Sequence, residues 1–206
     1  MQTNAANVDE YIEELQGKLK DNPGCGHHHY NLGVAYLSKG DFHSAERSLL
    51  DAVRESPNLV EAYVQLGGIA MHRGDLEGCL NYNKAAADIR PMFATPWGNI
   101  GFVYLQQGHV SQAAKTLEKA LRIDPNFIQA MATLGSAYLA ENDPERCLII
   151  CQRAVEKEPM FGPAWNNMAL AHLQQGNPDK AKECIAKAQE SGFEVHPELL
   201  KELGMA

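Results

Sequence analysis

Prolines stand at positions 23, 57, 91, 125 and 159, equally spaced along the chain. A residue that cannot continue a helix, recurring at one fixed step, cuts the chain into equal pieces. Glycines keep the same step at 33, 67, 101 and 135, and a second series runs Gly40, Gly74, Gly108, Asn142 and Gly176. Each piece therefore carries two helix-length segments, A and B, parted by a residue suited to a turn.

With unit starts at residues 26, 60, 94, 128 and 162, several positions agree in type. The fourth place holds Tyr63, Trp97 and Trp165, with His29 and Met131 in the other two units. Leu32-Gly33, Leu66-Gly67, Ile100-Gly101 and Leu134-Gly135 occupy the seventh and eighth places, and Met168-Ala169 departs from them. At the eleventh stand Tyr36, Tyr104 and Tyr138, replaced by Ala70 and His172. Small residues recur in segment B at Ala45, Cys79, Ala113, Cys147 and Ala181, and again at Ala52, Ala86, Ala120, Ala154 and Ala188. Glycine or alanine at these places lets two helices approach closely, while Leu, Tyr and Trp fill the space between them.

These positions resemble the tetratricopeptide repeat. The resemblance covers residues 26 to about 191 and implies an all-α fold, a right-handed α-solenoid of five helix-turn-helix repeats at 26–59, 60–93, 94–127, 128–161 and 162–191. Residues 1–25 are expected to form a leading helix and loop, because Val8, Tyr11, Ile12, Leu15 and Leu19 lie at helical spacing before Pro23. Residues 192–206 are expected to cap the last unit with a short helix that begins at Pro197 and carries Leu199, Leu200 and Leu203.

Composition narrows the function. Of 206 residues, 45% are apolar and 21% charged, as in globular chains; no apolar run has the length of a membrane span, and the first residues lack the pattern of a signal peptide. Eighteen basic against 26 acidic residues give a net charge of −8, which disfavours nucleic acid as a partner. Five cysteines, at 25, 79, 147, 151 and 184, suit free thiols in a reducing compartment, so a cytoplasmic location is expected. With positions 26–191 given over to repeats and no catalytic motif among the rest, neither an enzyme nor a cofactor is expected.

Family resemblance implies a non-catalytic adaptor that binds an extended segment of another protein along the A helices. Stepping about 100° per residue, the second, sixth, ninth and thirteenth places of helix A fall opposite the core. Among these twenty positions Glu61 is the one charged residue. The sixth place reads Asn31, Gln65, Asn99, Thr133 and Asn167, and its amides resemble the asparagine ladder in the repeats of O-linked N-acetylglucosamine transferases. A side-chain amide can pair with both N–H and C=O of an extended chain whatever its sequence. The alternative is that these amides meet water or a neighbouring helix. His27, His72, Phe102, Gln106 and Gln174 complete the expected groove. Repeats of this family that hold a chaperone's terminal carboxylate use Lys and Arg here; none is present, so a neutral or basic internal segment is the expected ligand.

Two rival readings remain. One is a self-associating scaffold in which an end helix of one copy docks in another's groove. The other is a metal- or thiol-dependent module built on Cys25, His27, His28 and His29. Consecutive helical residues fan out by about 100° each, so the three rings diverge, and no metal site is expected. Cys147 and Cys151 share a helical face at core places and are expected to act as small hydrophobes.

Overall fold

The computed structural model of the protein describes residues 5–205. Among these residues the regular structure is helical throughout. The leading helix α1 (Ala5–Asp21) precedes five helix pairs: α2 (Gly26–Ser38) with α3 (Phe42–Glu55), α4 (Val60–His72) with α5 (Leu76–Ile89), α6 (Ala94–Gln106) with α7 (Val110–Ile123), α8 (Ile128–Ala140) with α9 (Pro144–Lys157), and α10 (Gly162–Gln174) with α11 (Pro178–Glu190). The short helix α12 (Pro197–Glu202) follows.

Each A helix ends because one residue takes a left-handed backbone conformation. Gly108 does so with φ +76°, and in the fourth pair Asn142 stands in the same place with φ +58°. Glycine meets no Cβ penalty there, and asparagine is among the side chains that tolerate it best. Helix B then starts on a polar cap in three pairs. Asp41, Asp75 and Asp143 accept the backbone N–H of Ser44, Gly78 and Arg146 at 3.0, 2.8 and 3.0 Å. This satisfies a donor that the first turn would leave unpaired.

The helices gather into two compact units, divided between Asn99 and Ile100 within α6. In the first, α1 to α5 pack in sequence order. Leu15 and Ile12 of α1 are buried against Leu32 and Ala35 of α2, so the leading helix hides an apolar flank of the first pair. Gln16 adds a hydrogen bond to the Tyr36 hydroxyl at 3.0 Å, and Lys39 pairs with Asp9. In the second unit α7 to α11 pack in order, and the A helix α8 also touches the A helix α10. At its end Val195, Leu199 and Leu203 are buried, while Leu200 is half-buried.

Close approach within a pair rests on the eighth-place glycine. A Cβ on Gly33 would lie 2.6 Å from Leu49 Cγ, and one on Gly101 2.5 Å from Leu117 Cγ, both well inside contact distance. The glycine is a socket for the residue sixteen positions on. In the second pair that residue is Asn83, fully buried, with its amide nitrogen 2.3 Å from where a Gly67 Cβ would be.

Candidate functional site

The histidine cluster resolves into separate roles. His29 Nε2 donates to the Pro23 carbonyl at 2.8 Å. Trp97 and Trp165 make the equivalent bond from Nε1 to the carbonyls of Pro91 and Pro159, at 2.9 and 2.7 Å. Because a carbonyl only accepts, Nε2 carries the proton, and His29 does an indole's work in the first unit. His27 is exposed, and His28 is half-buried with Nδ1 enclosed and without a hydrogen-bond partner. Among the described residues no three His, Cys, Asp or Glu side chains converge as metal ligands would.

The sixth-place side chains differ in how far they are already committed. Asn99 Nδ2 donates to Asn83 Oδ1 at 2.9 Å, and Asn83 Nδ2 in turn donates to the Cys79 carbonyl at 2.8 Å. Thr133 Oγ1 donates to the Gln129 carbonyl at 2.8 Å. Asn167 is 7% exposed and gives both amide hydrogens to α8, one to the Ala132 carbonyl at 2.8 Å and one to Ser136 Oγ at 3.0 Å. These three therefore bond to their own helix or to a preceding one. Asn31 and Gln65, both half-buried, make no such bond among the described residues, and their amides keep donors and acceptor free.

Asn31 borders two depressions in the first unit. One is a polar cleft of about 650 Å³ with His27, Tyr30, Asn31, Glu61 and Arg90 in its wall and the Ser56–Leu59 turn at its edge. The other is a smaller notch of about 240 Å³, where Val8 and Tyr11 of α1 face Val34 and Ser38 of α2. Tyr11 and Val34 are 41% and 36% exposed. Polar and apolar surface thus meet at one free amide. Arg90 Nη1 donates to Glu61 Oε1 at 2.7 Å, and this guanidinium holds the Glu61 carboxyl below its usual range, with His27 adding a smaller effect in the same direction. The pair leaves the cleft close to neutral.

The other expected groove residues are more dispersed. His72 is exposed and stacks on Phe42, ring centroids 4.0 Å apart. Phe102 is half-buried, Gln106 is exposed, and Gln174 Nε2 donates to the Leu139 carbonyl at 3.3 Å. Arg90 and Tyr11 lie outside helix A and were not among the expected residues. Arg90 had a visible signal as the one basic residue directly preceding a periodic proline; Tyr11 had none, since only packing decides which side of α1 meets the groove.

Four of the five thiols are enclosed, and Cys25 is half-buried. Cys79, Cys147, Cys151 and Cys184 are buried and unbridged. Burial pushes the Cys79 thiol up to about 11, and the neighbouring Cys147 sulfur 3.9 Å away, together with burial, also raises Cys151. A thiol kept protonated is a poor nucleophile and a poor metal ligand.

Short helix pairs joined by turns on a left-handed Gly or Asn, repeated at the constant proline step and packed each against the next in sequence within each unit, define a helical-repeat protein. The chain belongs to the tetratricopeptide repeat family: models of that repeat match residues 12–59, 30–91, 104–167 and 162–191. Among solved structures it is similar to MamA from Desulfovibrio magneticus RS-1, at 22% identity over 81% of this chain and 94% of that one, with a TM-score of 0.70. YrrB, described as a tetratricopeptide protein with an unusual peptide-binding site, aligns at 16% identity over 95% of this chain and all 100% of its own, with a TM-score of 0.73. The Cut9–Hcn1 hetero-tetramer of APC/C aligns at 16% identity over 96% of this chain and 40% of that one, with a TM-score of 0.83. Identities this low establish a shared fold. No curated protein matches the chain in sequence. Among the described residues no helix is long and apolar enough to cross a membrane.

Proposed function

We propose that the chain is a non-catalytic interaction module and that its first unit holds an extended segment of a partner protein along helices α2 and α4. One observation carries this reading: Asn31, with its amide uncommitted, stands where the polar cleft of His27 and Glu61 meets the apolar notch of Val34 and Tyr11. An extended segment needs both kinds of contact, backbone hydrogen bonds for affinity and a depression for a side chain. Gln65 supplies a second amide one repeat on. Helices packed about 10 Å apart would put the two rungs some three extended residues apart.

A neutral or basic segment suits this surface. Glu61 is neutralised by Arg90, while the whole chain carries −8. The five-rung ladder contracts in this proposal to Asn31 and Gln65, because Asn99 and Asn167 serve packing between repeats. The test is capture of a binding protein from native lysate by wild type and by Asn31→Ala/Gln65→Ala, followed by calorimetric titration of the purified pair. We expect at least a tenfold loss of affinity with unchanged helicity; full retention of affinity would sink the assignment.

A further inference from the structure

A second depression, of about 370 Å³, lies in the other unit between helices α7 and α9. Helix α9 brings Arg146, Ile149, Ile150 and Arg153 to it, a spacing that sets all four on one face. Arg146 and Arg153 are seven residues apart, about 10.5 Å along the axis, with the isoleucines between them. Helix α7 contributes Glu118, Leu121 and Arg122, and the floor is Leu134 and Tyr138 of α8. Ile149 is 65% exposed, an aliphatic side chain left in water beside an apolar floor.

Its charge runs against that of the molecule. Three guanidiniums face one carboxylate in a chain of net charge −8. Two of these charged groups are built into the wall. Glu118 accepts the Tyr138 hydroxyl at 3.0 Å, and Arg146 lies 4.3 Å over the Tyr138 ring while pairing with Asp143 and Glu141 at 2.5 and 3.2 Å. Arg122 and Arg153 are exposed and have no ion-pair partner among the described residues. Two unpaired cations therefore flank an exposed aliphatic residue over an apolar floor.

We propose that this cleft is a second docking site, for an acidic segment of a partner protein that places one aliphatic or aromatic side chain against Ile149 and Leu134 and carboxylates against Arg122 and Arg153. Charge complementarity selects the occupant: a guanidinium takes a carboxylate in a paired, bidentate geometry, and the cleft offers two that nothing else engages. The apolar floor sets it apart from a general attraction for anions. It binds a different chemistry from the surface around Asn31, so the two sites select different segments.

The test is selection of peptides on the full chain from a phage-displayed random dodecapeptide library, with the selected peptides then synthesised and titrated by fluorescence polarisation. We expect an acidic class with an aliphatic or aromatic centre. Its affinity should fall at least tenfold in Arg122→Ala/Arg153→Ala and in Ile149→Asp, weaken with added salt, and stay unchanged in Asn31→Ala/Gln65→Ala. Circular dichroism checks that the variants stay folded, as exposed substitutions should. Absence of an acidic class, or an acidic class indifferent to Arg122 and Arg153, overturns the proposal. So does a dimer by light scattering that the arginine variant dissolves, since a second copy would then be the occupant.

Discussion

Asn83 occupies a place that Leu49 and Leu117 fill in neighbouring repeats, and it is fully buried. Its amide is satisfied on both sides, by the Cys79 carbonyl and by Asn99. Asn83→Ala leaves a gap and strips those bonds, and we expect it to cost about 2 kcal/mol in urea unfolding followed by circular dichroism. Asn83→Leu restores the volume and places no polar group in the core, so at least half of that loss should return; a leucine variant as unstable as the alanine one would show that the hydrogen bonds dominate. At the helix turn, Gly108→Ala forces a Cβ into a left-handed backbone of φ +76°, at an expected cost of about 1–2 kcal/mol in the same assay. His29→Trp should leave stability unchanged or raise it, because Trp97 and Trp165 already make the same bond.

At the scale of the element, the caps make stability depend on pH. The Ser44 N–H holds the Asp41 carboxyl, and the Arg146 N–H the Asp143 carboxyl, below their usual value of 3.8. A carboxyl held lower in the folded chain than in the unfolded one stabilises fully above the unfolded value and loses that contribution as pH falls through the folded one. Thermal melts from pH 7 to pH 2 should therefore fall more steeply for wild type than for Asp41→Asn/Asp143→Asn, which keeps a capping side chain that does not titrate. Parallel curves would exclude the caps as the source. Helix α1 has its own test. Leu15 is 1% exposed, so Leu15→Ala should cost about 2–3 kcal/mol and expose α1 to proteolysis before the repeats that follow. The helices themselves were legible from proline and glycine spacing, because a turn constrains local backbone alone. The caps were not, since His109 and Asn177 stand at the cap position without making the side-chain bond.

At the largest scale, within each compact unit a helix packed between two neighbours opens later than a terminal helix. Amide hydrogen exchange should be fastest in α1 and α12 and slowest in α4 and α8, and uniform protection would contradict this. What the sequence by itself determined was the periodic part: five helix pairs in register, small residues where helices meet, and an acidic chain of repeat type. Those features follow from local backbone preference and from a pattern that recurs at one constant step. Which polar side chains remain free was decided only in the tertiary structure. The partners of Asn99, Asn167 and Glu61 lie 16, 35 and 29 residues away, on other helices or at their ends. An amide at a given repeat position looks the same in the sequence whether it faces water or is tied to the previous repeat, because the group that claims it arrives by packing.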